Sequence, residues 1–152
     1  MLIASIFLSS ILLGVTAGAA EASECRYSDR NDLWMAKTSG IWEAGERYGY
    51  FRVLVFRKIG DAAMDTVCVE TLSVDESSQN LTVLRTDRLE SPGYAGNVSD
   101  IHFFGSVKGG MAVGLDIQMR GMNNIVLRDV FVVYSNASPR RIVAAKFVDV
   151  GQ

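Results

Sequence analysis

Few residues in this chain are of types that do chemistry. The one histidine, His102, stands in "SDIHFFG" beside Ser99 and Asp100. A hydroxyl, an imidazole and a carboxylate are the parts of a nucleophilic triad. Neighbours on one strand do not converge on a shared reacting atom, however, and no G-x-S-x-G elbow is present. His102 is therefore expected to be an ordinary strand histidine. Paired carboxylates could hydrolyse glycosides, and Glu70, Asp116 and Asp129 are the acids lying inside apolar runs. Acids are common on the solvent face of a sheet, so this signal is weak. "SVKGGMAVG" lacks the spacing of a phosphate loop, and its Gly109-Gly110 reads as a hairpin turn. Nothing is spaced like a metal site. The expectation is no enzymatic activity, no cofactor and no metal.

Cys25 and Cys68 are the only cysteines. With no C-x-x-C and a single histidine, a disulfide is the expected use. It closes a loop of about 44 residues, worth roughly 4 kcal/mol in the chain-entropy model. That fits an oxidising compartment, and so does the opening of the chain. "MLIASIFLSSILLGVTAGAAEASEC" is an apolar run followed by Ala17-Gly18-Ala19 and Ala20-Glu21-Ala22, the pattern of a cleaved export signal. It lacks the usual basic residues at its start. Residues 1–22 are read as a signal peptide and 23–152 as a single β domain. The mature chain is then periplasmic or secreted, with no membrane span.

The whole chain carries 15 basic and 17 acidic residues. Removing residues 1–22 removes Glu21 and no base, leaving 15 against 16. That balance gives no electrostatic case for nucleic acid, whose binders usually carry a basic patch, and none is expected as a partner. Arg57-Lys58 and Arg140-Arg141 are expected at strand ends in solvent.

The elements behind these residues follow from alternation. In "MAVGLDIQMR", Met111, Val113, Leu115, Ile117 and Met119 share one parity, the signature of a half-buried strand. Ile101 and Phe103, Ile125 and Leu127, and Ile142 and Ala144 offer matching faces. Gln118, on the other parity, is expected to be dispensable for stability. "YGYFRVLVFRKIG" is apolar on both parities, as in a central strand covered on both faces. Further strands are read in "DTVCVETLSV", "NLTVLRTDRL", "IHFFGSVKGG", "IVLRDVFVVYS" and "RIVAAKFVDV". "SDRNDLWMAKTSG" has cap-type residues and a terminal glycine that fit a short helix. Arg128-Asp129 predicts a β-bulge that lets both charges reach solvent. About seven strands with short turns give an all-β fold, an antiparallel sandwich or a small barrel.

Function is expected to lie in binding. The longest loop, Glu90 to Asp100, carries Tyr94 between glycines, and loops on rigid scaffolds carry contacts. Trp42, Tyr48 and Tyr50 form a second aromatic candidate patch. The expected role is a non-enzymatic binding or structural module that contacts a protein or envelope component. The alternative is a barrel-type carrier of a small apolar ligand, to which the G-x-W triplet Gly40-Ile41-Trp42 would contribute. Asn80, Asn97 and Asn136 begin glycosylation sequons, the last followed by Pro139, and the host decides their use.

The exported protein should begin near Ala20 or Ser23 and carry a Cys25–Cys68 bond. Intact mass with and without reductant measures both. A full-length mass, or two thiols that alkylate freely in the folded protein, would contradict the reading.

Overall fold

The computed structural model describes residues 25–26, 31–57, 60, 65–90, 96–122 and 125–148. The protein is all-β. Its strands are β1 (Leu33–Ala44), β2 (Arg47–Phe56), β3 (Thr66–Val74), β4 (Leu81–Arg88), β5 (Gly96–Val107), β6 (Gly110–Met119), β7 (Val126–Tyr134) and β8 (Arg140–Val148). They form two antiparallel four-stranded sheets, ordered β1-β2-β3-β4 and β5-β6-β7-β8, in a sandwich-like arrangement. Seven of these strands are the ones that alternation predicts. The eighth, β1, replaces the expected helix, and no helix is formed among the described residues. Met35 to Ser39 pair with Val55 to Phe51 of β2, and this ladder outweighs a weak cap signal. Gly40 is not a helix end. It sits at φ 72° as an extra residue in β1, and a Cβ there would lie 2.6 Å from Met111 Cε.

The core lies between the sheets. Phe51, Val53 and Val55 of β2 and Val67 and Val69 of β3 meet Met111, Val113 and Leu115 of β6 and Phe131 and Val133 of β7. The apolar stripe of β6 thus packs against its own core. Each such side chain contributes about 1.5–3 kcal/mol when fully buried. The second parity of β2 is covered as well. Leu54 and Phe56 lie on the outer face, under the Cys25–Cys68 disulfide and Leu33. At the β3–β4 turn, Asp75 Oδ1 accepts from the Ser77 N–H at 2.9 Å and the Ser77 hydroxyl at 2.7 Å. These hydrogen bonds hold its carboxyl below the ordinary value.

The inner pairs β2–β3 and β6–β7 keep an unbroken register. Every pairing that involves an edge strand is shifted, and the extra residue always falls on the edge strand. These residues are Trp34 and Gly40 in β1, Leu84 in β4, Ser99 and Phe104 in β5, and Ile142 in β8, which carries one more between Val143 and Lys146. An inserted residue has no place in the alternation and is pushed outward. This explains why Trp34, Leu84, Phe104 and Ile142 are exposed although they are large and apolar. It also corrects the matching face expected of Ile142 and Ala144, which are both exposed.

Basic side chains lace the open sides of the sandwich. Arg57, from the end of β2, binds Asp65 through two bonds of 2.9 and 2.7 Å and donates to the Val98 carbonyl of β5 at 2.8 Å. Asp65 in turn accepts from the Val98 N–H at 2.7 Å. Arg85 of β4 donates to the carbonyls of Tyr134 and Ala137. Arg141 of β8 donates to the Glu90 carbonyl at 2.6 Å. Arg57 and Arg141 are therefore cross-sheet clamps rather than solvated strand ends.

Asp129 also departs from expectation. The register with β8 shifts beside it, but β7 runs unbroken along β6, so Asp129 stays on the inner face at 0 % exposure. Arg141 answers it, with Nε 3.4 Å from Oδ2. Gln118 likewise has a job: its amide donates to the carbonyls of Met122 and Ile125, at 2.7 and 3.2 Å, and closes the β6–β7 turn.

Leu115→Ala should cost about 2–5 kcal/mol, the range for a buried leucine. Gln118→Ala should cost about 1 kcal/mol through the lost turn bonds. Urea titration measures both. Equal losses would mean that β6 has no inner face.

Candidate functional site

The aromatic residues singled out from the sequence do not form one patch. Trp42 points into the core at 6 % exposure, and its indole N–H donates to the Leu72 carbonyl at 3.0 Å. Tyr48 and Tyr50 stand opposite Glu43 and Ile41, on the other face of the ladder, and are half-buried. Trp42 does border an open cleft of about 440 Å³ at one end of the sandwich, formed by residues 41–44, the β5–β6 hairpin and Ser135-Asn136. Tyr94 and the signal-cleavage positions lie outside the described residues. Asn80 and Asn136 are exposed, whereas Asn97 is half-buried and accepts from Arg120 at 3.3 Å.

A denser arrangement sits on the outer face of the second sheet. Antiparallel register sets Asp100 of β5 opposite Asp116 of β6, and Asp116 opposite Arg128 of β7. Arg128 grips the Asp116 carboxylate with Nε at 2.5 Å from Oδ1 and Nη2 at 2.8 Å from Oδ2. His102 Nε2 lies 2.9 Å from Asp116 Oδ2, 3.2 Å from Arg128 Nη2 and 3.4 Å from Asp100 Oδ2. Lys37 of β1 reaches over from the first sheet, 3.6 Å from Asp100 Oδ1.

Phe104 lies over this group. It is the extra residue of a β5 bulge, followed by Gly105 at φ 116°. Its ring stacks on His102 with centroids 5.9 Å apart and planes at 12°, and the Arg128 guanidinium sits 5.5 Å from its centre. Gly114, the partner of His102 in β6, makes room for it: a Cβ there would lie 2.5 Å from Phe104 Cε2. Phe104 is nevertheless 52 % exposed. The result is an ordered aromatic ring on an open sheet face, backed by a bidentate ion pair.

The Asp116 carboxylate is already engaged by Arg128 and His102. The Ser99 hydroxyl donates to the Asp116 carbonyl at 3.2 Å. Among the described residues no group of three or more His, Cys, Asp or Glu side chains is gathered as a metal site, and no helix is long and apolar enough to cross a membrane. The sequence marked His102, Asp116 and Arg128 one at a time and gave no weight to Phe104. Their shared parity against Ile101, Leu115 and Leu127 was the available signal.

Burial works to raise the Asp116 pKa, but the hydrogen bonds from Arg128 and His102 and their nearby charge outweigh it. The carboxyl is held below its ordinary 3.8. A depressed folded-state pKa contributes stability that is fully present above the unfolded value and lost as pH falls through the folded one. Asp116→Asn should therefore cost about 1–3 kcal/mol near pH 7, and its deficit against the native chain should shrink below about pH 4. Urea titrations over a pH series measure this. A deficit that stays constant into strong acid would contradict it.

No family model, curated protein or solved structure matches this chain.

Proposed function

We propose that the protein is an exported, non-enzymatic binding module that recognises a protein or envelope component through the outer face of its second sheet. The observation that carries this is Phe104, a large ring that serves no core and is held in place on a rigid face by His102 and Arg128. Exposed aromatic and arginine side chains on a preorganised surface are the common anchors of protein interfaces. Order before binding lowers the entropy cost of docking. The filled interior between the sheets favours this reading over a carrier that encloses its ligand. Export is supported by the apolar opening with its Ala-x-Ala sites and by the disulfide, which persists in oxidising compartments.

Phe104→Ala should weaken partner capture from the protein's own compartment by about tenfold or more. It should leave the fold within about 1 kcal/mol of native, because the ring is half-exposed. A pull-down paired with a melting curve measures both. Unchanged capture, or capture that falls only as the melting temperature falls, would overturn the reading.

A further inference from the structure

We infer that Asn80 carries an N-linked glycan that covers the open edge of the first sheet. The inference rests on the export reading above and places the protein in a compartment that glycosylates. Three of the six asparagines begin sequons, Asn80, Asn97 and Asn136, and the fold separates them. Asn97 lies inside β5, half-buried opposite Gln118, and its Oδ1 accepts from Arg120. The hydroxyl of the same sequon, on Ser99, is engaged by the Asp116 carbonyl. Asn136 is exposed, but Pro139 directly follows its sequon and fixes the backbone there. Asn80-Leu81-Thr82 meets neither obstacle. Asn80 and Thr82 are both exposed. The Asn80 carbonyl accepts from the Asp75 N–H at 2.9 Å, which extends the β3–β4 ladder one residue past Leu81. On that extended backbone Asn80 and Thr82 project to the same side. The main chain at Asn80 is thus held in place, while its side-chain amide has no partner among the described residues.

Attachment joins the Asn80 amide nitrogen to the anomeric carbon of a lipid-linked oligosaccharide. A C–N bond forms, the C–O bond to the lipid pyrophosphate breaks, the amide releases one proton, and the pyrophosphate leaves with the bonding pair. Transfer to a growing chain precedes folding, so the fold decides which attachment the finished protein tolerates. A bulky, solubilising group belongs on the surface. At Asn80 it also has something to cover. β4 is the edge of its sheet, and Leu81, Val83 and Leu84 beside Asn80 are each about half exposed. Val83 ends a row that runs Ile41, Tyr50, Leu72, Val83 across the outer face of the sheet. An edge of this kind invites pairing with another chain unless it is interrupted or covered. The Leu84 bulge interrupts it from one side only, because Leu81 to Val83 pair in register with Val74 to Leu72. A glycan at Asn80 begins at the end that the bulge leaves regular.

Mass spectrometry of the protein recovered from its own compartment tests this. The mature chain should carry an oligosaccharide, and peptide:N-glycosidase should remove it and leave an aspartate in place of Asn80. Asn80→Gln should lose the oligosaccharide, while Asn97→Gln and Asn136→Gln should keep it. Native protein stripped by the enzyme should sediment as larger species as its concentration rises, and untreated protein should not. The enzyme acts on the folded native chain, so this arm does not depend on how well a variant folds. A mature chain without the oligosaccharide, an oligosaccharide that persists in Asn80→Gln, or stripping that leaves sedimentation unchanged would overturn the inference. A chain that has lost its leader yet carries no sugar overturns the glycan and leaves export standing; a full-length chain without sugar overturns both.

Discussion

An open sandwich has four strand edges, and the rest of this structure is arranged around that constraint. Two four-stranded sheets bury one face each, and the inner strands β2, β3, β6 and β7 supply most of the large buried side chains. Their pairings are unbroken, because a one-residue slip would turn the whole apolar set outward. The edge strands have no second neighbour to hold them in register. A flat edge would also offer free N–H and C=O groups to any passing strand. Here each edge strand is bulged, and the sides between the sheets are crossed by Arg57, Arg85 and Arg141 donating to backbone carbonyls. The same residues close the sandwich along its sides.

The candidate site is a by-product of this solution. A bulge leaves one residue outside the alternation, and in β5 that residue is Phe104. The outward-facing residues that its ring meets on the neighbouring strands are Gly114 and Arg128, so the ring has space beneath it and the Arg128–Asp116 ion pair beside it. Trp34 is a parallel case in the first sheet. It too is an inserted aromatic, and the Arg57 guanidinium lies 4.4 Å from its ring centre. In both places a clamp or ion-pair arginine orders an aromatic side chain that the core has no use for.

Much of the fold was legible because strand alternation is a local property. The stripe from Met111 to Ile117 and the doubly apolar Val53 to Phe56 could be recognised without knowing their neighbours. β1 was hidden because Ser28, Asp29, Asn31 and Gly40 resemble helix punctuation, and only pairing with β2 reveals it as a strand. The bulges were hidden because Phe103-Phe104 and Ile142-Val143 look like ordinary apolar steps; which of each pair is inserted depends on the facing strand. The site was least legible. His102, Asp116 and Arg128 lie on three strands, and their meeting is a consequence of register, which single-strand patterns do not contain. Asp129 misled for the opposite reason. A charge in an apolar run suggests an escape to solvent, yet Arg141 from β8 meets it on the inner face.

The two inner strand pairs form the rigid frame, and the bulged edges do not template further pairing. Residue-resolved native-state hydrogen exchange tests this most directly. Backbone amides of β2, β3, β6 and β7 should exchange only through global unfolding, and those of β1, β4, β5 and β8 should open at lower free energy. Edge amides as protected as the inner ones, or protection in β4 or β8 that rises with protein concentration, would contradict the account.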